Sequence, residues 1–458
     1  MDVFKIQQAA FAASLPPSFA ARMGILNKLY VVFKAAEADM ITAVSADFGH
    51  RSAFETRMTE TSFILADIKH TRKKLKRWMA TKRRPVALHF WPGKAYVEYQ
   101  PKGVVGIISP WNYPLHLAFV PLIAAIAAGN RVMLKPSEFT PHTNKVITKI
   151  LAEVFDAEQV AVIEGDAEIA AAFSALPFDH LFFTGSGAVG KLVMQAAAKN
   201  LTPITLELGG KSPAIIGKNY NIAKAAERIM VGKLLNAGQT CIAPDYVLVP
   251  EAKRTELAQA LIAAGERLYP DIMHGGDYTS IINRQQYERL HGLLHDAVER
   301  GALLYKLFEA DDDGRKMMPA VLDDVEPDMK VMQEEIFGPI LPIIGYEKLD
   351  DAISFVNSGD KPLAAYYFSH DDEDELPRLS QNILCGGVTI NDTIYHFAQN
   401  ELPLGGIGAS GMGHYHGHDG FKTFSHAKGV FKQARFNGFG LLKPPYSKLA
   451  KAIVDWVS

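Results

Sequence analysis

The strongest constraint on this chain is an alternation: a short apolar run, a turn, then a longer stretch with helical periodicity. Val104-Val105-Gly106-Ile107-Ile108 is apolar without a break and is stopped by Ser109-Pro110. A run with no polar face predicts a strand buried on both sides, the position of a strand inside a parallel sheet. A helix is predicted over about 117–128, a strand over 131–135 ended by Pro136, a helix over about 141–155 and a strand over 160–163. A further helix leads to the strand Leu181-Phe182-Phe183. This order predicts a doubly wound α/β sheet.

The chain has 458 residues, more than one simple core accommodates. The pair Gly209-Gly210 separates two apolar pieces, 204–208 and 213–216, and is where the chain is expected to leave the first domain. A second α/β pattern follows, with helices near 221–236, 252–268 and 284–300 and strands near 246–249 and 340–344. Residues 1 to about 80 carry helical spacing. The stretch 86–99 alternates loosely and predicts a strand or hairpin. Asp311-Asp312-Asp313-Gly314 predicts a solvated turn, and 402–413 predicts an irregular glycine-rich loop.

Charge narrows the partners. With 48 Lys and Arg against 50 Asp and Glu the formal net charge is −2, so nothing advertises nucleic acid or an anionic membrane. The basic cluster from Arg72 to Arg84 could be an anion patch, but in a neutral chain a solvated helix face is the plainer reading. Two cysteines, Cys241 and Cys385, allow no disulfide framework or metal spacing and suit a reducing compartment. The N-terminus has no basic region leading into an apolar run, so no secretory signal is expected. The apolar run 117–128 is too short for a membrane span and contains Pro121, and 446–456 reads as a surface helix rather than an anchor.

Five stretches could carry chemistry. Asn236-Ala237-Gly238-Gln239-Thr240-Cys241 surrounds a thiol with small and polar residues; a nucleophile is the sharp reading and a small buried hydrophobe the plain one. Gly185-Ser186-Gly187-Ala188-Val189-Gly190 matches G-x-G-x-x-G between a strand and a helix, where backbone N–H groups can approach a pyrophosphate. Glu207 lies 20 residues after Gly187 and would, on the usual fingerprint, hold a ribose. Asn112, between Pro110 and Pro114 at a strand end, offers a stiffly held amide donor for an oxyanion, or is simply a turn asparagine. Glu334-Glu335-Ile336-Phe337-Gly338-Pro339 reads on its own as an acidic pair before a turn. His414, His416 and His418 would share a face on a strand and could bind a metal, but Gly411, Gly413, Gly417 and Gly420 argue for a loop, so no metal site is expected.

Taken in order, these pieces resemble the aldehyde dehydrogenase superfamily. The matching stretches are PWNYP from Pro110, LKPSE from Leu134, FTGS from Phe183, ELGGKSP from Glu207, GQTC from Gly238, EEIFGP from Glu334 and LPLGGIGASGMGHYHG from Leu402, and they cover nearly the whole chain. Cys241 to Tyr246 and Tyr415-His416-Gly417 look like the class 3 branch; Val97 to Pro101 and Asn236-Ala237-Gly238 look like its bacterial coniferyl aldehyde dehydrogenases. Two positions depart from the pattern: Gly187 stands where relatives usually have Thr or Ser, and Leu404 where Phe is common.

The resemblance implies a Rossmann-like cofactor domain (1–80 and 100–208), an α/β catalytic domain (209–390), a small bridging β element for oligomerisation (81–99 and 391–435) and a C-terminal tail (436–458). It implies Cys241 as nucleophile, Glu207 as general base and Asn112 as oxyanion donor. Lys135 and Glu138 would meet the adenosine ribose, Gly185 and Ser186 the cofactor loop, Glu335 the nicotinamide ribose, and Phe337 the nicotinamide. Glu207 thereby moves from ribose ligand to catalyst, and the G-x-G-x-x-G match becomes accidental. The implied cofactor is NAD, with NADP possible, the substrate a small aldehyde of aromatic or cinnamyl type, the assembly a homodimer and the location cytoplasmic. Aliphatic aldehydes are the alternative substrate class. A cysteine hydrolase and a purely binding role are rival functions, separated by NADH formation with an aldehyde; a CoA-acylating enzyme would release the thioester to CoA, and Glu207 in place argues for water instead.

Overall fold

The computed structural model describes residues 2–307 and 315–457, so the acidic segment Asp311 to Gly314 lies outside the described residues. In chain order the strands are β1 (Lys82–Arg84), β2 (Lys94–Pro101), β3 (Val104–Ile108), β4 (Arg131–Lys135), β5 (Val160–Val162), β6 (His180–Thr184), β7 (Ile204–Glu207) and β8 (Pro213–Ile216). They continue as β9 (Tyr246–Pro250), β10 (Leu303–Lys306), β11 (Ala320–Asp323), β12 (Ile340–Tyr346), β13 (Ala364–Phe368), β14 (Gly387–Ile390), β15 (Gly411–Met412) and β16 (Ser425–Lys432). Among the described residues three sheets result, of six, seven and three strands.

The first sheet runs β15-β7-β6-β3-β4-β5. Its five inner and far strands are parallel, and β15 is an antiparallel edge. All five residues of β3 are buried, as an unbroken apolar run requires. The register sets Ile108 beside Lys135 and Phe183, and Thr184 beside Glu207. Four strand ends therefore finish level, and Ser109, Lys135, Thr184 and Glu207 fall along one carboxyl edge. That edge is where open α/β sheets hold ligands.

Helix His116–Ala128 covers this sheet and is buried on every side, the only setting in water for a helix with no polar stripe. It ends at Gly129, whose φ of +94 is the left-handed cap that favours glycine. The N-terminal region is helical, and one turn, Arg57–Thr61, is π-helical. The C-terminal helix, Lys448–Val457, buries Ala450 and leaves Leu449 and Val454 exposed. Among the described residues no helix is long and apolar enough to cross a membrane.

Residues 208–212 carry the chain from β7 into β8 of the second sheet, ordered β10-β11-β12-β9-β8-β13-β14. Among the described residues of this sheet only β10 runs antiparallel. The third sheet, β1-β2-β16, is antiparallel, with eight residue pairs between β2 and β16.

Two sequence expectations change. The stretch 86–99 is not one strand or hairpin: Leu88–Phe90 forms a 3-10 turn, Pro92-Gly93 breaks the chain, and extended pairing starts at Lys94. The loop 402–413 is not wholly irregular, because Gly411 and Met412 pair with Glu207 and Leu206. Gly411 can pair there because a Cβ would lie 2.3 Å from the Leu206 carbonyl oxygen. Within 391–435, β16 joins the three-stranded sheet while β15 completes the six-stranded one.

Candidate active site

Cys241 follows a turn that the chain holds against its own preference. Asn236 and Ala237 have φ of 54 and 51, and Gly238 has φ of 75. A left-handed alanine costs about 1–2 kcal/mol. Several buried hydrogen bonds, each worth ~1 kcal/mol net, offset it. Asn236 Nδ2 donates to Asn112 O at 3.0 Å and to Gln239 O at 3.1 Å. Gln239 Nε2 donates to Asn236 O at 3.0 Å and Ser280 O at 3.1 Å, while its Oε1 accepts from Ile282 N at 2.9 Å. Gly238 is required, since a Cβ would sit 2.3 Å from Gly338 O. The EEIFGP loop thus packs directly on the cysteine loop.

The thiol itself is partly buried. Burial, then the carboxylates of Glu335 and Glu207, push its pKa up to about 12; the backbone N–H groups of Cys241 and Ile242 oppose the rise. A sulfur faced by two N–H donors sits where an oxyanion could also be held. Glu207 is buried at the end of β7, its Oε1 has no hydrogen-bond partner, and burial raises its pKa well above the carboxylate range. Glu335 lies close by, with its pKa raised to about 8, first by burial and then by Asp245; the Gly210 N–H works the other way. Glu335 occupies the space a side chain at residue 209 would need, as a Cβ on Gly209 would fall 2.1 Å from its Oε2.

Asn112 is buried, and its Nδ2 donates one hydrogen to Gln239 O at 3.1 Å, two residues before the thiol. An amide nitrogen carries two hydrogens, so the second is not consumed by this bond. The next residue bonds likewise: Tyr113 OH pairs with Thr240 Oγ1 at 2.7 Å. Phe337 has φ of 52 and sets its ring edge-on to Trp111 at 5.4 Å. Cys241, Glu207, Asn112, Glu335 and Phe337 therefore converge on one region, although they span 226 positions, from 112 to 337 inclusive.

The other expected residues lie along the carboxyl edge of the six-stranded sheet. Lys135 is buried and pairs with the half-exposed Glu138 at 3.2 Å. Ser186 caps helix Gly187–Ala198 by accepting from Val189 N. Gly185 leaves room for the Phe183 ring, which a Cβ would approach to 2.5 Å, and a Cβ at Gly190 would reach Leu208 Cδ2 at 2.8 Å. Gly190 thus serves helix–sheet packing. Gly187 would give a Cβ nothing within 4 Å, so its departure from the family pattern opens space without disturbing the fold.

This edge suits a dinucleotide on its own chemistry. Ser109 Oγ and Thr184 Oγ1 are buried without hydrogen-bond partners, and Gly187 leaves the first turn of its helix open. Buried hydroxyls without partners cost free energy that a polar ligand would recover.

Sequence reasoning missed several neighbours. Asp245 pairs with Lys211 and accepts from Ile336 N at 2.9 Å, bracing the EEIFGP loop. Tyr415 is buried within electrostatic reach of both Glu207 and Cys241. Neither pairing leaves a periodic trace, because the partners lie far apart in the chain. His416 is buried between the rings of Phe397 and Tyr415, and His418 stacks on Trp78. Among the described residues no group of three His, Cys, Asp or Glu is placed to hold a metal.

Comparison with known proteins places the chain in a family. Residues 3–430 match the model of the aldehyde dehydrogenase family. A Pseudomonas aeruginosa protein named "Probable coniferyl aldehyde dehydrogenase" is 50% identical over 99% of this chain and 94% of its own length. The substrate-bound structure of Staphylococcus aureus AldH is 43% identical, with a TM-score of 0.94 over 100% of this chain and 99% of that one. The NAD-dependent aldehyde dehydrogenase of Sinorhizobium meliloti is 28% identical, with a TM-score of 0.85 over 96% of this chain and 88% of that one. On these matches, the chain belongs to the aldehyde dehydrogenase family.

Proposed function

We propose that this protein oxidises an aldehyde to the carboxylic acid with NAD(P)+, using Cys241 as nucleophile, Glu207 as general base and Asn112 as oxyanion donor. The observation that carries this reading is the meeting of a thiol, a buried carboxyl with an unpartnered oxygen, and an amide donor bonded to the thiol's own loop.

With a pKa pushed up to about 12, the Cys241 thiol is protonated at neutral pH while the cofactor is unbound. Attack on the aldehyde therefore needs the thiol to give up its proton to solvent, an ionisation that the positive charge of a bound nicotinamide would favour. As the S–C bond forms, the carbonyl π pair moves to oxygen. Asn112 and the Cys241 N–H stabilise that charge; losing one such donor typically costs about 10²–10³ in rate. NAD(P)+ supplies, when bound, a hydride acceptor for the aldehyde carbon. The acyl group is then held on Cys241 as a thioester. Glu207 takes a proton from water as the water oxygen adds to the acyl carbon, the C–S bond breaks, and Glu207 returns that proton to the departing Cys241 sulfur, which leaves as a thiol. A base working near neutrality benefits from the raised pKa that burial gives Glu207.

Lys135 and Glu138 would hold the adenosine ribose, Gly185 and Ser186 would line the cofactor loop, Glu335 would hold the nicotinamide ribose, and Phe337 would pack near the ring. The Glu138 carboxylate would repel a 2′-phosphate, which favours NAD over NADP. The substrate is an aromatic or cinnamyl aldehyde such as coniferyl aldehyde, a reading supported by the similarity to the Pseudomonas aeruginosa protein. The protein works as a homodimer through the three-stranded sheet, whose edge strand β16 leaves Phe431 exposed. It works in the cytoplasm, consistent with two unpaired cysteines.

The experiment is a panel of cinnamyl, benzyl and aliphatic aldehydes with NAD+ and NADP+, read by NADH or NADPH absorbance. Highest kcat/KM for cinnamyl aldehydes with NAD+ is expected. Higher values for long-chain aliphatic aldehydes would move the substrate class to the alternative, and no reduction with any aldehyde would overturn the activity.

A further inference from the structure

We propose that Arg51, clasped by Glu55 and Glu60, is a positioning residue that aligns Asn112 with the turn before Cys241. The proposal rests on the reading of Asn112 as a donor and Cys241 as the nucleophile. Arg51 is fully enclosed. Its Nε lies 3.3 Å from Glu55 Oε1 and one terminal nitrogen 3.1 Å from Glu60 Oε1. The same terminal nitrogen donates to Asn112 O at 3.1 Å, and the other donates to Thr59 Oγ1 at 3.2 Å. The guanidinium also lies over the Tyr113 ring, at 4.8 Å, and the Phe48 ring, at 5.1 Å.

Each arm of this cluster ends on an element of the site. Glu60 Oε2 accepts from Leu115 N at 2.8 Å and His116 N at 3.0 Å, fixing the start of helix His116–Ala128 immediately after the Asn112 loop. Glu55 Oε2 accepts from Asn236 N at 3.2 Å, and its Oε1 from Thr279 Oγ1 at 3.0 Å. Asn236 is the first left-handed residue of the turn that leads to Cys241. The Asn112 carbonyl thus receives two donors, Arg51 from one side and Asn236 Nδ2 from the other. The Arg57–Thr61 stretch that carries Thr59 and Glu60 is π-helical, a widening of the helix often found at functional sites.

Stability alone does not account for this arrangement. One buried cation between two buried carboxylates costs desolvation that neutral packing avoids, and replacing such triads with uncharged residues is often neutral or stabilising. What a guanidinium provides is geometry: a rigid planar fork that fixes several partners at once, which lysine cannot do. Misplacing a reacting group by about 1 Å can cost ~10²-fold in rate.

The test is Arg51→Lys, alone and combined with Asn112→Ala, with kcat, the NAD+ dissociation constant and the thermal midpoint measured. A fall in kcat of about 10²-fold is expected at unchanged NAD+ affinity, and the double variant should be no slower than Asn112→Ala alone, because Arg51 acts through Asn112. A folded Arg51→Lys protein with kcat within about twofold of wild type, or losses that multiply in the double variant, would overturn the proposal. If Arg51→Lys does not fold, the uncharged Arg51→Met/Glu55→Gln/Glu60→Gln protein replaces it and is judged by the same two outcomes. Full activity of Asn112→Ala on its own would instead remove the reading of Asn112 on which the proposal stands.

Discussion

The two cysteines occupy comparable ground by every simple measure. Both are free and partly buried, and burial pushes both thiols up, to about 12 for Cys241 and to about 11 for Cys385. Their settings differ. Cys385 donates to the Gly387 carbonyl at 3.5 Å, with the Tyr367 hydroxyl beside it, and has no carboxylate among the groups acting on it. Cys241 follows a left-handed turn, faces two backbone N–H groups and feels the charge of both Glu335 and Glu207. A perturbed pKa therefore does not mark out the proposed nucleophile. Its company does: a buried carboxyl with an unpartnered oxygen, and two backbone N–H groups facing the sulfur.

The largest expected effect separates the two thiols outright. Cys241→Ser is expected to lower kcat/KM to below about one-thousandth of wild type, whereas Cys385→Ser stays within about twofold. Steady-state NADH formation with a cinnamyl aldehyde checks both. Comparable losses in the two variants would erase the distinction.

A smaller effect sharpens it. Glu335 raises the Cys241 pKa, and its own pKa is raised to about 8. Its charge is present only above that pH, so Glu335→Gln should speed alkylation of Cys241 by roughly 3–10-fold at pH ~9, leave the rate at pH ~6 unchanged, and not affect Cys385. Stability follows the same window. A carboxyl whose folded pKa is raised binds more protons folded than unfolded, so its contribution falls as pH rises from the unfolded pKa of about 4.5 to about 8. The gain in thermal midpoint from Glu335→Gln should therefore be larger at pH ~9 than at pH ~5. A pH-independent gain would mean Glu335 ionises normally.

Much of the architecture was legible because strands buried on both faces leave continuous apolar runs, as β3 and β6 do. β15 was not: two residues, one of them glycine, carry no periodicity, and only their pairing with Leu206 and Glu207 makes them a strand. At the site, Cys241, Asn112 and Glu335 stood out by motif resemblance rather than by spacing. Spacing alone points Glu207 to a ribose and the resemblance points it to catalysis, because a count of residues does not say where a strand ends relative to its neighbours. The Arg51 cluster was invisible for a related reason. Its arms reach Asn112, 61 residues on, and Glu55 reaches Asn236, 181 residues on, and no local pattern encodes such distances.

The central claim is that the acyl group rests on Cys241 until water activated by Glu207 removes it. The most direct measurement is rapid mixing of the Glu207→Gln protein with aldehyde and NAD+, followed by acid quench, digestion and mass spectrometry. The expected result is a burst of about one NADH per site with little turnover, and the peptide containing Cys241 heavier by the acyl group. An unmodified Cys241 peptide alongside a full burst, or an acyl group on Cys385, would contradict it.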